Sequence, residues 1–256
     1  DLGWENCGEA LSHQRFDRLT GKYSLLQEHP EYEFNSVGIF DHHLFNTILE
    51  HLNTPQDKPQ MILSMTTTSH PPFEFPSKME LPPLPAHFYD NPCFAEKNID
   101  VLKKYITGYR YFNQALGRFL DRFKASKAAQ NTIVIITGDH NIRSILDYEK
   151  IDKRWAYSVP LYIYLPPYLR KKTYKEKTHR WGSHDDILAT VAPFAFKHTE
   201  YIRLGEDLLC DTLADNRFFS YNEEQVLCTK DCKKEAQRRS DARNLLRTVY
   251  FQTIFC

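Results

Sequence analysis

The clearest pattern along the chain is an apolar run without interruption, Ile133-Val134-Ile135-Ile136, flanked by Thr132 and Thr137. An unbroken β-branched run between polar neighbours reads as a parallel strand covered on both faces. A second run, Val159 to Leu165, predicts another strand. Pro160 should sit at its beginning, since proline has no N–H to give a ladder. Met61 to Thr68 is also short, apolar and rich in β-branched residues, and it predicts a buried strand ending just before His70. Helical periods occur elsewhere. Leu44, Ile48 and Leu52 step by four, which predicts an amphipathic helix over 42–53. Tyr105, Tyr109, Phe112, Leu116, Phe119 and Phe123 recur at steps of four and three, the pattern of a long helix burying one aromatic face. A short helix over 8–20 with a turn at Gly21, and a helix over 185–196, complete the main pattern.

Between these elements, residues 71–92 carry seven of the 14 prolines, which excludes a central strand or a helix and predicts a loop along one rim. Past residue 200 the pattern weakens to a possible hairpin over 216–228 and a charged, solvated helix over 230–247. Helix, strand, long helix, strand, strand, helix is an α/β order.

Composition narrows the function classes. The chain has 256 residues, with 33 basic and 33 acidic, so no global field draws it to nucleic acid or to an anionic membrane. Apolar residues at 41% and aromatics at 14% suffice for a packed interior, so the chain is expected to fold as one domain. No stretch approaches the ~18 consecutive apolar residues that cross a bilayer. The start at Asp1, with a helix-like stretch following at once, suggests a beginning cut from something longer. Of the six cysteines, only Cys228 and Cys232 lie close together, without the second pair that a zinc ribbon requires, so disulfide or plain thiol is the reading.

Candidate chemistry sits at strand ends, where open parallel sheets bind their ligands. Asp139 and His140 follow the best strand directly, and Gly138 lets the backbone turn so that carboxylate and imidazole address one point. Adjacent oxygen and nitrogen donors suit Zn²⁺ or Mn²⁺. Asp139 as a helix cap with His140 as an ordinary polar neighbour is the plain alternative. His70 at the end of Met61–Thr68 reads equally as a loop histidine, and His184 lies in Gly182-Ser183-His184-Asp185-Asp186, where Ser183 or Asp185 would serve as an N-cap.

The order of five segments resembles the catalytic domain of lipoteichoic acid synthases and phosphoglycerol transferases, sulfatase-type members of the alkaline phosphatase superfamily. These segments are Gly3-Trp4, Thr67-Thr68-Ser69-His70-Pro71-Pro72-Phe73, the helix containing Tyr109-Arg110-Tyr111-Phe112-Asn113-Gln114, Ile135-Ile136-Thr137-Gly138-Asp139-His140, and Gly182-Ser183-His184-Asp185-Asp186-Ile187-Leu188. The resemblance implies a three-layer α/β sandwich with a mostly parallel central sheet, lacking its N-terminal strand and helix. It implies residues 1–210 as the C-terminal part of the catalytic domain and 211–256 as an extension with the small hairpin and helix. It also implies one divalent cation, Mn²⁺ first, with Mg²⁺ or Zn²⁺ as alternatives, held by Asp139 and His140. Substrate contacts carry over to His70, Trp4, Asp1 and His184. The nucleophilic threonine, and an acidic ligand, are expected upstream of Asp1, and Thr66, Thr67 and Thr68 are not substitutes. With those groups absent, this chain alone is expected to turn over nothing. Asn141 stands where the family usually has glycine, and Asn tolerates φ > 0.

The implied reaction is a two-step, metal-assisted transfer of phosphoglycerol from a phospholipid to a glycan or lipid acceptor, outside the cytoplasm, in a protein held at the membrane by an N-terminal anchor. A phosphoethanolamine transferase shares the same logic. A sulfuric ester hydrolase would use a Cys or Ser in a C/S-x-P-x-R context, which is missing here. A non-catalytic domain binding glycan or lipid head groups is the reading of a different class.

Overall fold

The computed structural model describes residues 2–3, 6–85, 87–142, 144–151, 153–196, 201, 203–213, 219–221 and 226–228, with scattered positions between 234 and 245. Its contacts form two compact units, Asp1–Ile133 with Ile142–Ile151, and Val134–Asn141 with Asp152–Cys256.

The first unit contains helices α1 (Cys7–His13), α2 (Lys22–Glu28), α3 (Asp41–Asn53) and α4 (Ile99–Ala125). The single helix expected over 8–20 is shorter, and a separate helix follows it. Arg15, with φ 59°, takes the left-handed conformation just past α1. At the start of α2 the Ser24 hydroxyl accepts the Gly21 amide at 2.9 Å. This satisfies a donor that helix ends leave over. Helix α4 starts on Asn98, whose side chain accepts from the amides of Asp100 and Val101. Asp100 in its first turn and Arg122 and Lys124 in its last complement the helix dipole.

Helices α3 and α4 pack through aromatic rings, with Phe45 stacked on Phe119 at 5.1 Å and Phe40 edge-on to Tyr111 at 6.3 Å. Fully burying a side chain of this size stabilises by about 1.5–3 kcal/mol. The buried faces differ from the expected ones. In α3 the most buried apolar residues are Phe45 and Leu49, with Leu44, Ile48 and Leu52 only half-buried beside them. In α4 they are Leu102, Ile106, Tyr111, Ala115, Phe119 and Phe123, and Tyr109 is 49% exposed. The reason lies in the small residues that a hydrophobic stripe overlooks. Gly108 sits on the contact face, and a Cβ there would stand 3.3 Å from the Thr68 carbonyl oxygen.

Thr67 and Thr68 therefore dock closely. The Thr67 amide donates to Asp41 Oδ1 at 3.0 Å, and both Asp41 and Thr68 are fully buried. The strand expected over Met61–Thr68 does not form. Among the described residues it pairs with no partner strand, and Met61, Leu63 and Met65 are 75%, 64% and 61% exposed. Apolar β-branched composition favours extension, but a strand also needs an edge to accept its backbone hydrogen bonds.

The second unit contains β1 (Val134–Thr137), α5 (Lys153–Ala156), β2 (Leu161–Tyr164), α6 (Asp185–Ala195), β3 (Phe219–Tyr221) and β4 (Val226–Cys228). Strand β2 begins immediately after Pro160, and β3 and β4 form the hairpin expected near 216–228. The expected parallel pairing is corrected here. β1 and β2 run antiparallel, from Val134 opposite Tyr164 to Thr137 opposite Leu161. β1 is half-buried rather than covered on both faces. An apolar run reports burial and not the direction of its neighbour.

Helix α6 begins on a carboxylate network. Asp186 is 1% exposed, and its Oδ2 accepts the Ser183 amide at 2.7 Å while its Oδ1 accepts the Glu206 amide at 2.7 Å. Arg180 donates to the carbonyls of Leu208, Cys210 and Leu213, which ties down the segment after Glu206. Gly205 must remain without a side chain, because a Cβ would fall 2.2 Å from the Asp185 carbonyl oxygen. No described helix is long and apolar enough to cross a membrane. Cys7, Cys93 and Cys210 are free thiols, and Cys232 and Cys256 lie outside the described residues.

Candidate active site

Where β1 ends, the chain turns through Gly138 into Asp139, His140 and Asn141. The His140 amide donates to Asp139 Oδ1 at 2.8 Å, which folds the carboxylate back over its own backbone. His140 Nδ1 lies 2.8 Å from the Asn141 carbonyl oxygen. A carbonyl only accepts, so Nδ1 carries the proton and Nε2 keeps its lone pair. That lone-pair nitrogen sits 3.6 Å from Asp139 Oδ2. Two ligands about 2.0–2.2 Å from one ion at a tetrahedral angle are about 3.4 Å apart, so the pair spans a divalent cation with little adjustment. The side chains are 64% and 82% exposed for His140 and Asp139, open to an incoming ion. An N–H donated to a backbone carbonyl is also the usual way to fix the tautomer of a metal-binding histidine. The donor set and its spacing fit a divalent metal.

Asn141 anchors this corner. Its side-chain amide lies 2.8, 3.3 and 2.5 Å from the carbonyl oxygens of Trp155, Ala156 and Ser158. Positive φ occurs among the described non-glycine residues at Asn6, Arg15 and Phe73, so the tolerance of asparagine for φ > 0 is not what this position uses. Next to it, Trp155 meets Trp181 edge-on at 5.4 Å. His184 joins the corner from the start of α6, donating from Nε2 to the Gly138 carbonyl at 2.8 Å. It thus stands against the residue preceding Asp139 and is itself the N-cap of α6, without a side-chain cap bond, in place of the expected Ser183 or Asp185, while the Asp186 carboxylate accepts from the Ser183 amide and hydroxyl.

His70 belongs to the first unit, on a turn in which its amide donates to the Thr67 carbonyl at 3.1 Å and its carbonyl accepts the Phe73 amide at 3.0 Å. Its Nδ1 donates to the Pro71 carbonyl at 2.7 Å, and its side chain is exposed. Phe73 is buried with φ 60°, an uncommon conformation for a bulky residue, and packs edge-on to Tyr105 at 5.3 Å. Beside this turn lies a cleft of about 530 Å³ whose walls include Lys22, Lys104, Ser36, Glu74, Phe34 and Pro72. Hydrogen bonds from the Ser36 amide and hydroxyl, both 2.7 Å, hold the Glu74 carboxyl below its usual range. Trp4 and Asp1 lie outside the described residues.

The sulfatase family model matches residues 1–196, which is 196 of the 256 residues. The chain belongs to the sulfatase family. Among solved structures, the chain is similar to the lipoteichoic acid synthase LtaP from Listeria monocytogenes, at 20% identity and a TM-score of 0.52. The match covers 84% of this chain and 59% of that one, so the chain spans less than two thirds of the length of LtaP. At that identity the likeness is one of fold, and it agrees with an α/β, sulfatase-like architecture akin to lipoteichoic acid synthases.

Three groups went unnoticed in the sequence. Asn141 was read only for its backbone, although a lone Asn beside a ligand pair signals a side-chain clamp as readily. Asp41 carries no motif, and only its burial reveals it. His42 and His43 fell on the polar side of an amphipathic pattern, yet burial pushes the pKa of both below the ordinary histidine value. Two histidines in succession at a helix start were the available signal.

Proposed function

We propose that this sulfatase-family protein is a metal-dependent phosphotransferase or hydrolase, transferring phosphoglycerol from a phospholipid to a glycan or lipid acceptor outside the cytoplasm, from a position anchored at the membrane. The single observation that carries the reading is the paired presentation of His140 Nε2 and Asp139 Oδ2, 3.6 Å apart at the end of β1. In this reading residues 1–210 form the catalytic domain, built on a larger, mostly parallel central sheet, and 211–256 are its extension.

Asp139 and His140 would hold the cation, Mn²⁺ first and Mg²⁺ or Zn²⁺ otherwise. When bound, it supplies Lewis acidity toward a phosphoryl oxygen and lowers the pKa of an oxygen nucleophile. The residues of the chain do the remaining work. Asn141 and the Gly138–His184 contact hold the corner that presents the pair. His70 is assigned to the transferred group or leaving oxygen. Trp4, Asp1 and His184 are assigned to substrate contact.

A phosphoethanolamine transferase would use the same residues and differ only in donor. The sulfuric ester hydrolase reading is weakened because the chain contains no C/S-x-P-x-R segment. The test is Mn²⁺ affinity and phosphatidylglycerol turnover by the full-length protein, compared with Asp139→Ala and His140→Ala. Loss of both in each variant is the expected result. Unchanged metal affinity in both variants would refute the assignment, and intact binding sites with no turnover of any phospholipid would favour the head-group-binding module instead.

A further inference from the structure

The first unit contains a second set of metal-ligating side chains, which shares no residue with the Asp139–His140 pair. Glu33, His42 and His43 each offer one ligand atom, and the three atoms lie within 4.8 Å of one another. His42 and His43 are successive residues in the first turn of α3, where neighbouring side chains diverge by about 100°. Their ring centroids are nonetheless only 3.9 Å apart. A column of rings imposes this. His29 stacks on Tyr32 at 4.4 Å, and Tyr32, which is buried, stacks on His43 at 4.3 Å.

We infer that Glu33, His42 and His43 form a site for a divalent transition metal of the zinc class, which pins the strand-like segment around Glu33 to the start of α3. The His42 imidazole already has a partner suited to that role. The buried Tyr111 hydroxyl lies 2.6 Å from His42 Nδ1 and 3.1 Å from the His42 amide. A phenol oxygen has two lone pairs and can accept both hydrogens at once, and in the tautomer with Nδ1 protonated the His42 Nε2 lone pair is left for a metal. Donation of the other ring N–H to a fixed oxygen is the arrangement that ligating histidines use. His43 Nε2 accepts the Glu33 amide at 3.1 Å, so its Nδ1 carries the proton and its lone pair faces Glu33. The amide hydrogen there occupies the place a cation would take, and on metal binding the amide would keep its proton and hydrogen-bond to water instead of to His43 Nε2. The Glu33 side chain is exposed and free to swing its carboxylate onto the same ion. Two imidazoles and one carboxylate are a donor set for Zn²⁺, with a fourth position left for water.

The experiment is a Zn²⁺ titration of the full chain, with Co²⁺ as a visible-spectrum probe, on wild type, Glu33→Gln, His43→Gln and the double variant Asp139→Ala/His140→Ala. Glu33→Gln removes the carboxylate while leaving the backbone bond to His43, so it keeps the test meaningful if His43→Gln unfolds. The expected result is a tetrahedral Co²⁺ spectrum that survives in the double variant and a Zn²⁺ affinity weakened at least about tenfold in Glu33→Gln. Exchange of the Glu33 amide with solvent should also quicken when Zn²⁺ is added. Zn²⁺ binding that disappears with Asp139 and His140 and is untouched by Glu33→Gln and His43→Gln would overturn the site. That outcome would leave the proposed function standing, so the two readings fail separately.

Discussion

Replacing Asn141 with alanine takes a two-hydrogen donor away from three carbonyls, those of Trp155, Ala156 and Ser158. An amide NH₂ satisfies two of them at a time, and a net protein hydrogen bond is worth about 1 kcal/mol, so the loss is roughly 2 kcal/mol. Asn141→Asp is the sharper variant. It has the same shape but sets carboxylate oxygens against carbonyl oxygens, and the partly sheltered, unpaired charge raises the cost to roughly 3 kcal/mol. Urea denaturation followed by near-ultraviolet circular dichroism reads the effect where it occurs, because the edge-on Trp155–Trp181 pair belongs to the same unit as Asn141. With a slope near 2 kcal/mol per molar urea, the alanine variant should lose about 1 M in midpoint and the aspartate variant more. Asn113→Ala is the control, since that amide donates to the Tyr109 carbonyl on an exposed helix face where water replaces it. It should move stability by no more than about 0.5 kcal/mol. If Asn141→Asp denatures at the wild-type midpoint, the three-carbonyl clamp is not holding the corner, and the argument for a pre-set His140 tautomer loses its support.

Further outcomes follow from burial and charge. Phe123 is fully buried and stacks on Phe119 at 6.1 Å, so Phe123→Ala should cost about 3–5 kcal/mol in chemical denaturation. Burial pushes the Asp41 carboxyl above its ordinary value of 3.8, against the pull of Thr67 and Thr68. The folded chain then binds that proton more tightly than the unfolded one, so this residue's contribution to stability is full below the unfolded pKa and is lost as pH rises through the folded pKa. Asp41→Asn keeps an acceptor for the Thr67 amide and removes the titration; its stability relative to wild type should therefore rise from acid to neutral pH, and parallel profiles would refute this. Gly205→Ala should lower the melting temperature sharply, because the colliding Asp185 carbonyl belongs to the backbone and cannot turn aside.

The fold was legible where burial writes a period and illegible where direction or partnership decides. The extent of α3 and α4 followed from their apolar steps, yet their buried faces were displaced. Gly108, a small residue without hydrophobic weight, marks a place where Thr68 closely approaches α4, and Ala115 is buried on the helix as well. Met61–Thr68 has the composition of a strand and remains unpaired among the described residues, because pairing depends on an edge elsewhere. The antiparallel register of β1 and β2 has the same origin. Direction is fixed by how the intervening residues return, and the apolar runs themselves are silent about it.

The candidate site divides along the same physical line. Asp139 and His140 are neighbours, and the bonds that aim them, the His140 amide to Asp139 and Nδ1 to the Asn141 carbonyl, stay within three consecutive residues. Such a pair carries its geometry with it, whereas its assignment to a cation rests on the strand-end position and the family resemblance. Asn141 reaches carbonyls 14 to 17 residues away, and His184 reaches Gly138 across 46. No spacing rule connects those positions. The proposed chemistry is therefore written locally and its rigidity is written at long range, which is why substitutions at Asn141 test the candidate site more searchingly than substitutions at Asp139 and His140. Removing a ligand shows only that it binds, whereas loosening its support shows whether the geometry was set before any ion arrives.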